Sequence, residues 1–262
     1  MFRGIDHLVI ACVDPDAAAT ELESALGLTA GGGGRHDGLG TRNRIVWLAD
    51  GSYLELIGVD DREAARRSPV GAAAVATLDA HGGGLATYAL RDDELELTVG
   101  ALPEGTFGAV THGGRTRPDG ERVEWWTAIP ETPLAPDAVP FLIQHAYVGV
   151  EWSHAALAER ASFRHPLGSP VILARLDLAT GDPPSVAATL HEQLGIDFWA
   201  VADLAVADIG LHVLRLVPRR EMAVPAVITL AAELESPRTV ELLGLRFDIE
   251  RVELPVPTSG RG

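Results

Sequence analysis

Two short runs stand out in the pattern of apolar and polar positions, because each carries one chemically capable side chain in an otherwise apolar stretch. The first is Gly4-Ile5-Asp6-His7-Leu8-Val9-Ile10-Ala11, and the second is Ser52-Tyr53-Leu54-Glu55-Leu56-Ile57-Gly58. Both read as strands. Alternation puts His7 on the face of Ile5 and Val9, and Glu55 on the face of Tyr53 and Ile57. Between them the period changes. Ala18, Leu22, Ala25 and Leu26 follow helical spacing from a start near Asp14 or Pro15, and Gly27 is a stop signal. A Gly-rich stretch, Gly31 to Gly34, leads to strands near 43–48 and 52–58, joined by the hairpin signal Asp50-Gly51. With a strand near 29–36, the order is βαβββ.

The pattern recurs. Gly84-Leu85-Ala86-Thr87-Tyr88-Ala89-Leu90 matches Gly4 to Ile10, and Asp92 and Asp93 open a helix carrying Leu95, Val99 and Leu102. His112-Gly113-Gly114-Arg115-Thr116-Arg117 echoes His36-Asp37-Gly38-Leu39-Gly40-Thr41, Arg122 to Trp126 echoes Arg44 to Trp47, and Phe141 to His145 echoes the strand around Glu55. A third unit starts near Pro170, with a strand at 171–176, a helix after Pro183-Pro184 that ends at Gly195, and strands near 201–207 and 210–217. Residues 225–253 hold two or three strands and no clear helix, as a fourth unit that has lost its helix would. Residues 60–82 and 146–169 read as connectors, the second with a helical stretch near 154–161. Pro255 to Gly262 is expected to fray. The fold class is therefore α+β, with tandem βαβββ modules (about 4–59 and 84–146, in a domain at 1–150) forming a half-open barrel. A degenerate third module and strand-rich tail follow at 165–254 as a second, degenerate half-barrel.

Charge narrows the function. The 262 residues carry a formal charge of -16, and all 21 basic residues are Arg. That balance argues against nucleic acid and anionic membranes as partners. No run reaches the roughly 18 apolar residues of a membrane helix, and no signal peptide is recognisable, so a cytoplasmic location is expected. The single Cys12, at the end of the first strand, reads as core rather than nucleophile. Phosphate-loop, serine-elbow and H-E-x-x-H patterns are absent.

Ile5-Asp6-His7-Leu8-Val9-Ile10 at the start of a unit and Tyr53-Leu54-Glu55-Leu56 at its end, together with His36 to Asn43 and Pro140-Phe141-Leu142-Ile143-Gln144, resemble the vicinal oxygen chelate superfamily in its glyoxalase-like branch. The resemblance spans roughly residues 4–180. It implies that two units curl their sheets around a cavity. It also implies a divalent metal (Mg, Mn, Fe, Ni or Zn) in many members, held by the first and last strands of each unit and chelated by two substrate oxygens.

On that pattern His7, Glu55 and Gln144 are the candidate metal ligands, with Thr87 a poor donor at the fourth position. The third module offers no ligand, since it reads Leu173-Ala174-Arg175 there. The alternative is that His7 and Glu55 hydrogen-bond each other or a water in a polar cavity, because a carboxylate in so apolar a run needs a partner. Glu55 and His36 are the candidate acid/base groups. Asn43, Arg42, Trp125, Trp126 and His145 are candidate substrate contacts. Strand alternation puts only one of the two tryptophans in the cavity, and by the same rule His145 faces away from Gln144 unless a bulge intervenes. Arg115 and Arg117 read as solvated loop residues or carboxylate binders, and His165-Pro166 as a turn or a lid. The sequence thus points to a glyoxalase-like enzyme of the lyase or isomerase kind, acting on an oxygenated small molecule as a monomer or homodimer. The alternative is a non-catalytic binding or sequestration protein of the bleomycin-resistance type.

Overall fold

Each half of the chain is organised around a central pair of antiparallel strands. The computed structural model describes residues 2–36, 38–117 and 120–252, and the expected fraying at 255–262 lies outside them. Unit one runs β1 (Gly4–Ala11), α1 (Pro15–Leu26), β2 (Gly33–His36), β3 (Thr41–Trp47) and β4 (Tyr53–Val59). Local chemistry fixes α1 at both ends. The Asp14 side chain accepts the Asp16 N–H, Pro15 opens the helix, and Gly27 closes it at φ 70° with its N–H on the Glu23 carbonyl. Residues 60–82, expected as a connector, instead hold α2 (Arg62–Ala65) and α3 (Pro69–His81). Ser68 caps α3 and Gly82 ends it. These are ordinary start and stop signals, obscured by a helix too uniformly apolar to show a face.

Unit two follows as β5 (Gly84–Arg91), α4 (Leu95–Ala101), β6 (Thr111–Thr116), β7 (Arg122–Ala128) and β8 (Phe141–His145), then α5 (Gly149–Trp152) and α6 (His154–Ser162). The eight strands form one sheet in the order β2-β3-β4-β1-β5-β8-β7-β6. In each unit the first strand runs parallel to the last, and β1 and β5 meet antiparallel at the centre.

The second half repeats the plan with β9 (Val171–Thr180), α7 (Pro183–Leu194), β10 (Trp199–Val201), β11 (Leu204–Ile209), β12 (His212–Pro218), β13 (Ala226–Ala232), β14 (Arg238–Leu242) and β15 (Leu245–Arg251). The sheet order is β10-β11-β12-β9-β13-β15-β14. Here β9 and β13 take the places of β1 and β5, pairing antiparallel, and β13 runs parallel to β15 as β5 does to β8. The tail is a unit without its helix. The architecture is therefore α+β, two half-barrel sheets of the vicinal oxygen chelate type.

One irregularity re-aims a charged side chain. The β1–β5 register passes from Ile5↔Leu90 to His7↔Ala89, which leaves Asp6 as a bulge. The same position bulges in units two and three, at Ala86 in β5 and Ala174 in β9. A bulge puts two consecutive side chains on one side of the sheet. Ile5 consequently packs with Leu8 and Ile10 on the outer face, while His7 sides with Val9 and Ala11 on the inner one. The simple alternation that groups His7 with Ile5 fails at this point.

The outer faces of both sheets share one continuous core. It runs from Leu8, Leu22 and Leu54 through Leu173, Leu190 and Leu214 to Phe247, all buried. A polar clasp ties the halves together. His212 Nδ1 accepts the Ile5 N–H at 2.8 Å, which fixes the ring proton on Nε2, 3.3 Å from Asp50 Oδ2. Asp50 also accepts from Leu173 N at 2.7 Å and from Ser52. Gly4 is needed beside the ring, since a Cβ there, at φ 146°, would lie 2.6 Å from His212 Nδ1. Cys12 is buried, and burial pushes its thiol up to about 12, as a core residue requires.

Replacing His212 with Ala strands the Ile5 N–H and takes one donor from Asp50, and should cost about 2–4 kcal/mol in urea unfolding. An unchanged unfolding midpoint would refute the clasp. Burial raises the Asp50 pKa, but His212 and Ser52 outweigh it and hold the group below its ordinary 3.8. Its contribution should be complete above about that value and be lost as the pH falls through the lower, folded one.

Candidate functional site

The inner face of the first sheet encloses a cavity of about 310 Å³. Strands β1, β3, β4, β7 and β8 form its walls, and residues at the start of α3 and the end of α5 close over it. Aromatic side chains dominate the lining: Trp47, Tyr53, Trp125, Phe141 and Trp152. A polar end is built from His7, His36, Asn43 and Glu55.

Strand periodicity decides who belongs. On β3, Thr41, Asn43, Ile45 and Trp47 line the cavity. Arg42 alternates outward, where it pairs with Asp14, Asp16 and Asp60, so it is no substrate contact. On β7, Trp125 points in, while Trp126 packs against the outer core beside His112. On β8, Phe141, Ile143 and His145 point in. Gln144 turns out and accepts the Leu95 N–H at 2.9 Å, capping the start of α4, so it is no metal ligand. The alignment of units read from sequence is three residues out of step here. β1 pairs Val9 with Glu55 and β5 pairs Ala89 with Phe141, so the unit-two counterpart of Glu55 is Phe141.

At the polar end, Glu55 Oε1 accepts a 2.6 Å hydrogen bond from Asn43 Nδ2, and the Asn43 oxygen accepts from Gly34 N. Nε2 of His7 stands 3.7 Å from Glu55 Oε2, and Nε2 of His36 stands 3.8 Å from Oε1. His36 is anchored through Nδ1 to the Thr41 hydroxyl at 2.8 Å. The His7 ring is stacked on Tyr53, 4.5 Å between centroids, with Phe141 edge-on.

Beneath this lies Asp6, with no exposed surface, on the bulge. It binds three groups: His7 Nδ1 at 2.8 Å, His145 Nε2 at 3.1 Å and Arg91 Nε at 2.7 Å. Burial alone would raise its pKa, but His145 and Arg91, with hydrogen bonds from both imidazoles, bring it well below the ordinary carboxylate value. Asp6 is therefore an anion and can only accept, so both histidines donate to it. The tautomers follow. His7 donates from Nδ1, so its neutral ring presents a bare Nε2 toward Glu55. His145 carries its proton on Nε2 and has an unpartnered, buried Nδ1. Burial lowers the His145 pKa, and Asp6 only partly restores it. The ring is held flat on Trp152, 3.4 Å between centroids.

Across the cavity Arg115 donates to both oxygens of Glu151, at 2.7 and 2.8 Å, and Arg117 donates to the same carboxylate. These arginines are thus paired with a protein carboxylate rather than held as free loop charges. His112 sits outside the cavity, facing Glu124 at 3.4 Å. His165 is a structural clasp, accepting the Thr29 N–H and facing the Trp47 carbonyl at 3.0 Å. Sequence reasoning passes over Asp6, Arg91, Glu151 and Trp152. Of these only Asp6 leaves a signal, as a carboxylate inside an apolar strand.

A divalent metal held by four strand positions does not fit these residues. Two of the four are His7 and Glu55, but their counterparts in unit two are Thr87, a poor donor, and Phe141, which has none. Among the described residues no three His, Cys, Asp or Glu side chains are grouped so as to hold a metal ion.

Residues 5–194 match the family model described as "Glyoxalase-like domain". The chain belongs to that family, and its fold is the vicinal oxygen chelate fold. A hypothetical protein from Staphylococcus aureus superposes with TM-score 0.73 at 14% identity, covering 95% of this chain and 99% of that one. A mutant of 4-hydroxymandelate synthase from Streptomyces coelicolor gives TM-score 0.53 at 13% identity, covering 89% and 72%. Methylmalonyl-CoA epimerase from Mycobacterium tuberculosis matches more loosely, with TM-score 0.41 at 20% identity over 55% and 89%. At such identities the likeness is one of fold. No curated protein matches the chain in sequence. Among the described residues no helix is long and apolar enough to cross a membrane.

Asp6→Asn removes the charge that balances Arg91 and should cost about 3–5 kcal/mol of stability. Because Asp6 and His145 both have lowered pKa values, their contributions disappear on acidification. The His145 contribution should be complete above about pH 6.5 and fall below it, and that of Asp6 should fall only below about 3.8. Unfolding free energies of wild type and Asp6→Asn against pH check this. An acid limb of equal depth in both would contradict the assignment.

Proposed function

We propose that the protein is a small-molecule enzyme of the lyase or isomerase kind, in which Glu55 moves a proton to or from an oxygenated substrate lying in the aromatic cavity. The observation that carries this reading is the pairing at the polar end. Glu55 Oε2 and the bare His7 Nε2 face each other across 3.7 Å with no donor between them. Two acceptors at that separation favour a ligand group that brings its own proton. Glu55 is the base. It is oriented by Asn43 and kept in a largely apolar enclosure, where transfer competes with little water. His7 receives or returns the proton on the other side, and the imidazolium so formed is stabilised by the Asp6 anion through Nδ1, 2.8 Å away. Asp6 is thus a positioning residue. His36, 3.8 Å from the other Glu55 oxygen, is placed to bind a substrate oxygen. The aromatic walls orient a planar substrate by stacking.

A second reading, a non-catalytic binding protein for a small aromatic or peptide-like compound, is favoured by the loss of ligand chemistry at Thr87 and Phe141. Proton exchange separates the two readings. Wild-type protein incubated in D₂O with a panel of aromatic α-hydroxyketones should wash deuterium into the carbon next to the carbonyl, read by NMR. Glu55→Gln should slow this by about 10²–10⁴-fold with its fold intact, and a chelator should leave the wild-type rate unchanged. Tight binding of a panel member without exchange would overturn the enzyme reading in favour of the binder.

A further inference from the structure

Resting on the reading of the cavity as a small-molecule site, we infer the class of ligand it selects: a planar aromatic compound that carries hydrogen-bond donors and no anionic group.

Positive charge and hydrogen-bond acceptors around the cavity are in opposite conditions. The guanidiniums nearest it already face a carboxylate or an aromatic ring. Arg115 gives its Nη2 to both oxygens of Glu151, which also receives Arg117. Arg91, beneath the floor, is held by Asp6 at 2.7 Å and by the Gly51 carbonyl at 2.5 Å. Arg160 stacks on Trp47, 3.7 Å from the ring centroid, keeps a buried Nη1 without a hydrogen-bond partner, and is not among the lining residues. The one guanidinium in the lining, Arg115, already holds a carboxylate, so a carboxylate or phosphate entering the cavity would have to share it.

The acceptors, by contrast, are largely unused. Glu55 Oε1 has one donor, Asn43, and Oε2 has none within hydrogen-bonding distance. His7 Nε2 is an acceptor, because the ring's proton is spent on Asp6. The lining holds two carboxylates, Glu55 and Glu151, against one guanidinium, Arg115. An anionic ligand would therefore place like charge beside Glu55 in a poorly hydrated enclosure, which is unfavourable. A hydroxyl or amine on an aromatic ring would donate to Glu55 and His7, while its ring lay among Tyr53, Trp125 and Trp152.

The test compares matched isomers of naphthol, naphthylmethylamine and naphthoate by titration calorimetry on the full-length protein. Naphthol and the amine should bind at least about thirtyfold more tightly than naphthoate, the discrimination expected when a buried group is left unpaired or repelled. Glu55→Gln, which is isosteric, should reduce that ratio to within about threefold, chiefly by strengthening naphthoate. Glu55→Ala should do the same, guarding against an effect peculiar to the amide. Naphthoate binding as tightly as naphthol to the wild type would overturn the inference while leaving the cavity a binding site. If none of the three bound, the small-molecule reading would fall, and this inference with it.

Discussion

A carboxylate with no exposed surface sits where the two central strands of the first sheet slip by one residue, and the site depends on how that charge is balanced. Asp6 is tolerable in the interior because three donors converge on it: Arg91 from the neighbouring strand, His7 from the next residue and His145 from the far side of the sheet. The bulge makes this possible. Without it Asp6 would share a face with Leu8 and Ile10 and point into the apolar outer core, away from Arg91, His7 and His145. Because the anion only accepts, it also dictates the tautomers of both imidazoles, and so determines which nitrogen each ring offers to the cavity. Backbone irregularity, charge balance and candidate chemistry are in this way one constraint.

Most of the fold is legible in the sequence because repetition reinforces weak local signals. Gly4-Ile5 and Gly84-Leu85 each open a strand, Gly27 and Gly195 each end a helix, and the tail reads as strands alone. Where a single element has to speak for itself, it is less clear. Helix α3 has Ser68 and Gly82 at its ends but Ala and Val nearly all round, so it shows no amphipathic period and reads as linker.

The site is legible to a lesser degree, for a reason of geometry. Alternation correctly separates Trp125 from Trp126, yet it assigns Gln144 only if the register between units is known. One residue of slip exchanges Gln144 for its neighbours Ile143 and His145 on the inner face. The bulge at Asp6 does the same to Ile5. Arg115 and Glu151 are 36 residues apart in sequence and meet only because α5 folds back over β6 and β7. No local pattern announces such a pair.

The fourth unit replaces a helix with the short link between Ala232 and Arg238, so its strands lack a helix of their own. Helix α1, from the first unit, packs against β14 as well as against β3 and β4. A single helix therefore roofs parts of two ancestral copies. The repeat is therefore not modular: neither half could be moved onto another protein without leaving an apolar wall behind, and the shape of one half constrains the other.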